Sequence, residues 1–141
     1  TVSLHFFGLA GLIAILRAEF ATRWREGTAF ERGATILLTV FGLVILHSVE
    51  IWIYASLFIG LGEFQDLETA LYFSTTSFST IGYGDVLVSH NRRLIAAIEG
   101  ANGFLLIGWS TAFLVSVTAR MGLLEAQLQT RGKARNGEPS D

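Results

Sequence analysis

Thr80-Ile81-Gly82-Tyr83-Gly84-Asp85 decides how this chain is read. Two glycines flank one tyrosine, so the backbone is free to alternate between ordinary and left-handed conformations, the latter reached by glycine without a Cβ clash. Alternation of that kind can turn successive carbonyls toward one axis. The same letters would also suit a phosphate-cradling turn, but a dinucleotide fingerprint needs a third glycine and a strand-to-helix setting. Asp85, moreover, stands where an anion would have to approach. Upstream, Asp66 can cap a helix over 67–78, with Glu68 in the first turn where the positive end of the dipole favours an acid. That helix, about three turns long, is too short to cross a bilayer. On either side lie two long apolar stretches. Ala34 to Leu61 is apolar almost throughout, and about 28 residues at 1.5 Å each exceed a hydrocarbon layer of ~30 Å. Leu94 to Ala119 carries one acid, Glu99, and is also long enough to span.

Composition agrees with this pattern. Half of the 141 residues are hydrophobic, 16% are charged, and the mean hydropathy of +0.50 places the chain in the membrane class, as one domain. With no cysteine there is no disulfide framework, zinc-thiolate cluster or thiol chemistry. A net charge of −2 gives no support to nucleic-acid binding. The apolar opening lacks the basic leader and cleavage site of a signal peptide, and the missing initiator Met suggests a trimmed start. Within residues 1–33, Thr1 to Leu16 is expected to form a membrane or interfacial helix, followed by an amphipathic connector that mixes Phe20, Trp24 and Phe30 with Arg17, Arg23, Arg25 and Arg32. Residues 122–141 form a tail, expected to be disordered after Gln129.

The order helix, short helix, glycine motif, helix resembles the potassium-channel pore-domain family of the small prokaryotic type with two transmembrane helices. The resemblance covers about Ala34 to Met121, and the His47, Glu50, Trp52 pattern is also similar to small bacterial pore-only channels. It implies an all-α membrane protein: an outer helix over 34–61, a re-entrant pore helix over 67–78, a selectivity filter over 80–85 and an inner helix over 93–119. In that family the backbone carbonyls of the residues matching Thr80, Ile81, Gly82 and Tyr83, with the Thr80 hydroxyl, replace the water shell of K+. One chain holds a single such motif, so a ring of oxygens requires four copies about a symmetry axis, a homotetrameric pore. An acid often stands four residues before the filter threonine in this family; Thr76 occupies that place here, so behaviour that depends on the acid is not carried over.

The remaining site residues follow from this frame. Gly84 and Asp85 close the filter, and Asp85 is expected to concentrate cations or to anchor the filter to donors on the pore helix. Tyr72 and Thr76 are expected to support it, and Glu99 either to brace it from behind or to be a functional group, since an acid inside a membrane must be paired, protonated or wet. Gly100, Gly103 and Gly108 are either a hinge or close-packing positions. His47 and Glu50, three apart on one helical face, are expected to pair with each other or with a neighbouring helix, as a structural polar pair or else a proton sensor, and two ligands are too few for a transition-metal site. Asn102 faces either the cavity or a neighbouring helix; Trp109, Ser110 and Thr111 are equally ambiguous. The expected function is passive, potassium-selective conduction, with a non-selective cation channel or a non-conducting pore-fold subunit as alternatives. An enzyme is not expected, because no catalytic constellation lies where water and substrate meet. Expected partners are other copies of the chain and the lipid bilayer, with an unseen regulatory partner as one source of gating. The arginines before the outer helix, with Arg120, Arg131, Lys133 and Arg135 after the inner one, predict a multi-pass cell-membrane protein with its C-terminus in the cytoplasm.

Overall fold

A computed structural model describes residues 1–23 and 29–136 of the chain. Among the described residues are four helices, α1 (Val2–Arg23), α2 (Ala29–Gly60), α3 (Leu67–Phe78) and α4 (Arg93–Asn136), with a 3-10 turn at His90–Arg92 leading into α4. No strand is present among the described residues. Two stretches, Gly33–Gly60 and His90–Arg120, are long and apolar enough to cross a membrane, whereas the apolar part of α1, Val2–Ala18, is shorter.

Three boundaries differ from the sequence reading. The connector expected over 17–32 is largely helical, because α1 runs on to Arg23 and α2 already begins at Ala29; Trp24 and Arg25 lie outside the described residues. The inner helix expected to end near Ala119 continues to Asn136, through the part of the tail expected to be disordered up to that point. The reason is local: Leu123-Leu124-Glu125-Ala126-Gln127-Leu128-Gln129 is a run of strong helix formers, which outweighs the isolated glycines at 122 and 132. Residues 137–141 lie outside the described residues.

The end of α2 is chemically explicit. Gly62 takes φ +70°, its N–H donates to the Ile59 carbonyl and the Glu63 N–H donates to the Phe58 carbonyl, both at 2.9 Å. That pair of bonds with a left-handed glycine is a Schellman stop, and it turns the chain sharply toward α3. Asp66 then caps α3 by accepting from the Thr69 N–H at 2.8 Å. α3 is pinned to α2 by an aromatic cluster in which Phe58 meets Phe73 edge-on, with ring centroids 5.2 Å apart, and Phe64 lies 5.3 Å from Phe73. Tyr54, Phe78 and Leu106 extend this core to α4.

α1 runs antiparallel to α2. Its approach depends on glycines: a Cβ on Gly8 would lie 2.5 Å from a Leu46 methyl carbon, and one on Gly42 would lie 3.0 Å from a Leu12 methyl carbon. The two Leu–Gly pairs interlock, each leucine filling the gap left by the opposing glycine, as small residues allow between membrane helices. At the N-terminal end of α1, Thr1 Oγ1 lies 3.5 Å from Tyr54 Oη, and Asn102 Nδ2 donates to Tyr54 Oη at 2.7 Å. Asn102 is thus turned to neighbouring helices rather than free in a cavity.

Candidate functional site

The 80–85 segment follows α3 directly, and the helix end sets its direction. Ser79 donates from both its N–H (3.0 Å) and its hydroxyl (2.6 Å) to the Thr75 carbonyl, and the Thr80 N–H donates to the Ser77 carbonyl at 3.0 Å. The Gly82 N–H reaches back to the Thr76 carbonyl, also at 3.0 Å. Thr76 therefore supports the segment through its backbone, while its hydroxyl donates to the Phe73 carbonyl.

The backbone of this segment alternates in hand. Thr80, Gly82 and Gly84 have φ of +62°, +55° and +77°, whereas Ile81 and Tyr83 are not among the residues with positive φ. Thr80 is the one non-glycine described residue with positive φ, a costly position for a β-branched side chain. Alternation between left-handed and ordinary residues turns successive peptide planes over, gathering N–H groups on one side and carbonyls on the other. The Ile81 and Tyr83 side chains are 54% and 71% exposed, so the segment stands clear of its own helices on one side.

Two clasps hold the loops around it. The Tyr72 hydroxyl donates to Asp85 Oδ2 at 2.7 Å, joining α3 to the end of the motif and holding the Asp85 carboxyl below the usual aspartate range. Ser89 donates to Glu63 through its backbone N–H and, at 2.8 Å, through its hydroxyl, and these bonds hold Glu63 below the usual range as well. Arg92 adds a longer bond, 3.4 Å, to the Leu61 carbonyl. Because Asp85 is depressed in the folded state, the stability it contributes is complete above the ordinary aspartate range and is lost as pH falls through its lowered pKa. Tyr72→Phe is expected to unfold at a lower temperature than wild type at pH 7, and the gap should close as the pH drops through that range. Thermal unfolding as a function of pH measures it, and a gap that stayed constant would disconnect Asp85 from Tyr72.

The other expected residues are placed as follows. Gly103 lies against the end of α3, where a Cβ would come within 1.9 Å of the Phe78 carbonyl oxygen; Gly100 stands 3.4 Å by the same measure from the Ser77 carbonyl oxygen, and Gly108 has open space. α4 runs unbroken through all three. Glu99 is fully buried and faces Ser74 of α3, but neither its carboxylate oxygens nor the Ser74 hydroxyl reaches hydrogen-bond geometry with a partner among the described residues. It lies in the α3–α4 contact without a bond to the 80–85 segment.

His47 and Glu50 do pair, with Nδ1 3.0 Å from Oε2, but the pair is part of a larger group. His5 of α1, fully buried, puts its Nδ1 3.1 Å from Glu50 Oε1 and its Nε2 3.3 Å from the Ser110 hydroxyl on α4. The His5 and His47 rings stack at 5.3 Å, and Trp109 lies 5.5 Å from His5. Sequence reasoning allowed a partner on a neighbouring helix but did not single out His5, although a signal existed: a carboxylate in the middle of a span has two oxygens to satisfy, and His47 takes one.

A protein-family model described as an ion channel matches residues 43–120, which takes in most of α2, all of α3 and the 80–85 segment, and α4 as far as Arg120. No curated protein and no solved structure matches the chain.

Proposed function

The chain belongs to this ion-channel family, and from that premise we propose that it is a potassium-selective channel whose filter is Thr80 to Asp85. The observation that carries this reading is the alternating hand of Thr80, Gly82 and Gly84 against Ile81 and Tyr83. A backbone so built offers a cation a row of carbonyls from Thr80, Ile81, Gly82 and Tyr83, and the Thr80 hydroxyl adds one more oxygen. A single row cannot surround an ion, so four copies meet on one axis and close the ring. The exposure of Ile81, Tyr83, Leu87 and of Phe104 and Leu105 on α4 fits surfaces covered by neighbouring copies and lipid.

In this reading α2 is the outer helix, α4 the inner helix, and α3 a re-entrant pore helix whose C-terminal end aims its partial negative charge toward a central cavity where a cation waits. Short helices and irregular backbone at membrane depth are tolerated when they line such a water-filled path. Tyr72 and Asp85 fasten the outer end of the filter; Thr76 fastens its inner half. Among Gly100, Gly103 and Gly108, Gly108 has free space around it and fits a hinge, whereas Gly103 serves packing. The arginines ahead of the apolar part of α2, with Arg120, Arg131, Lys133 and Arg135 in the last part of α4, favour the cytoplasmic side for both ends. Transport is passive, so no residue carries a chemical step.

Purified protein in liposomes, with a potassium gradient opposed by sodium, tests the proposal. The reversal potential is expected at the potassium equilibrium value. Current that reverses near zero would replace the proposal with a non-selective cation channel. No current at any voltage, pH or lipid composition would favour a non-conducting subunit.

A further inference from the structure

We propose that His5, His47 and Glu50 form a binding site for a divalent transition-metal ion of the zinc class, independent of the conduction path. The three side chains come from two helices, and one ligand atom from each lies within 4.8 Å of the other two. His5 Nδ1 lies 3.1 Å from Glu50 Oε1 and His47 Nδ1 lies 3.0 Å from Glu50 Oε2, so with either oxygen as the ligand one spacing is already close to the ~3.3 Å that separates ligands around tetrahedral zinc, and a turn of the carboxylate shortens the other. Two imidazoles and one carboxylate are a zinc ligand set that leaves a fourth position for water. Imidazole with carboxylate also suits cobalt and nickel, whereas hard cations such as magnesium prefer oxygen-only shells.

Three further features fit a metal rather than a simple hydrogen-bonded pair. Both imidazoles present Nδ1 to the same carboxylate, one to each oxygen, so displacing the protons between them leaves both nitrogen lone pairs turned toward the Glu50 oxygens. The outward nitrogen of His5 faces the Ser110 hydroxyl at 3.3 Å, the kind of outer contact that fixes the tautomer of a metal-bound histidine. In the bound form His5 Nε2–H donates to Ser110. An approach exists as well: His47 keeps 18% of its side chain exposed and opens on a cleft bordered by Leu43, Val44, Ile107 and Thr111. A bound ion would fasten α1 to α2 and, through Ser110, to α4.

The test uses the full chain in detergent or nanodiscs and needs no ion flux, so its outcome is separate from that of the conduction experiment. Zn2+ titration is expected to give one ion per chain and a higher unfolding temperature. Co2+ is expected to show the intense visible absorption of a tetrahedral site and to quench Trp109, whose ring lies 5.5 Å from His5. His5→Ala and Glu50→Gln should each weaken Zn2+ binding at least tenfold. His90→Ala, which removes the exposed histidine outside the cluster, should leave binding unchanged. Should a variant fail to fold, the wild-type Co2+ spectrum still decides. A weak octahedral spectrum, no binding, or binding abolished by His90→Ala alone would overturn the site.

Discussion

Gly82→Ala is expected to abolish potassium-selective flux while leaving the assembled protein intact. Gly82 holds φ +55°, and a Cβ placed there meets nothing within 4 Å of the same chain. The cost is therefore one of backbone conformation rather than of collision, about 1–2 kcal/mol for an L-residue in the left-handed region. A penalty of that size does not unfold a helical core held by Phe58, Phe73 and Leu106. It is paid instead where the backbone is least supported, by a shift of φ toward negative values that swings the adjoining carbonyls away from the axis. In the proposed four-copy pore, the same rotation would remove a ring of ligands at once. Reversal potentials in liposomes measure the loss, and size-exclusion chromatography measures the assembly. Wild-type potassium selectivity in this variant would refute the filter assignment.

Gly103→Ala should act in the opposite way, on folding before conduction. A Cβ at 103 would stand 1.9 Å from the Phe78 carbonyl oxygen and 2.6 Å from its carbonyl carbon. Both are backbone atoms at the end of α3, so no rotamer change relieves the contact and the two helices must separate. Overpacking of this kind costs about 1–3 kcal/mol where side chains can yield, and more where they cannot. The variant is expected to lose assembled protein or to unfold at a clearly lower temperature, whereas Gly108→Ala, with open space at its Cβ, should remain near wild type. Equal thermal stability of the two variants would show that α4 does not rest on Phe78 as described.

The middle of the chain was legible because its signals are local. Asp66 precedes a helix that needs a cap, and two glycines one residue apart require a special backbone; both facts are contained within a few residues. The positive φ of Thr80 was not legible, since no property of threonine favours it; bonds from neighbouring backbone groups to Thr76 and Ser77 impose it. The place of α1 was hidden for a different reason. Its packing rests on Gly8 against Leu46 and Leu12 against Gly42, pairs whose members are separated by thirty or more residues and carry no common pattern. The same distance concealed His5, whose partners Glu50 and Ser110 come from two other helices. The choice between hinge and packing for Gly103 could be made only once the approach of α3 was known. Glu99, expected to brace the motif from behind or to be a functional group, is buried facing Ser74 in the α3–α4 contact, a placement that depends on how two separate helices meet.

The unbroken length of α4 has a mechanical consequence. Contact at Gly103 holds that part of the helix to α3, so a bend at Gly108, the proposed hinge, would have a fixed support five residues before it. Below that fulcrum the helix runs on to Asn136, an arm of about 42 Å at 1.5 Å per residue. A tilt of only about 10° at the fulcrum would carry the far end about 7 Å sideways over this length. Weak forces acting on the tip of such a lever, from lipid headgroups or from a bound protein, would be multiplied into torque at the pivot while the segment above stays still.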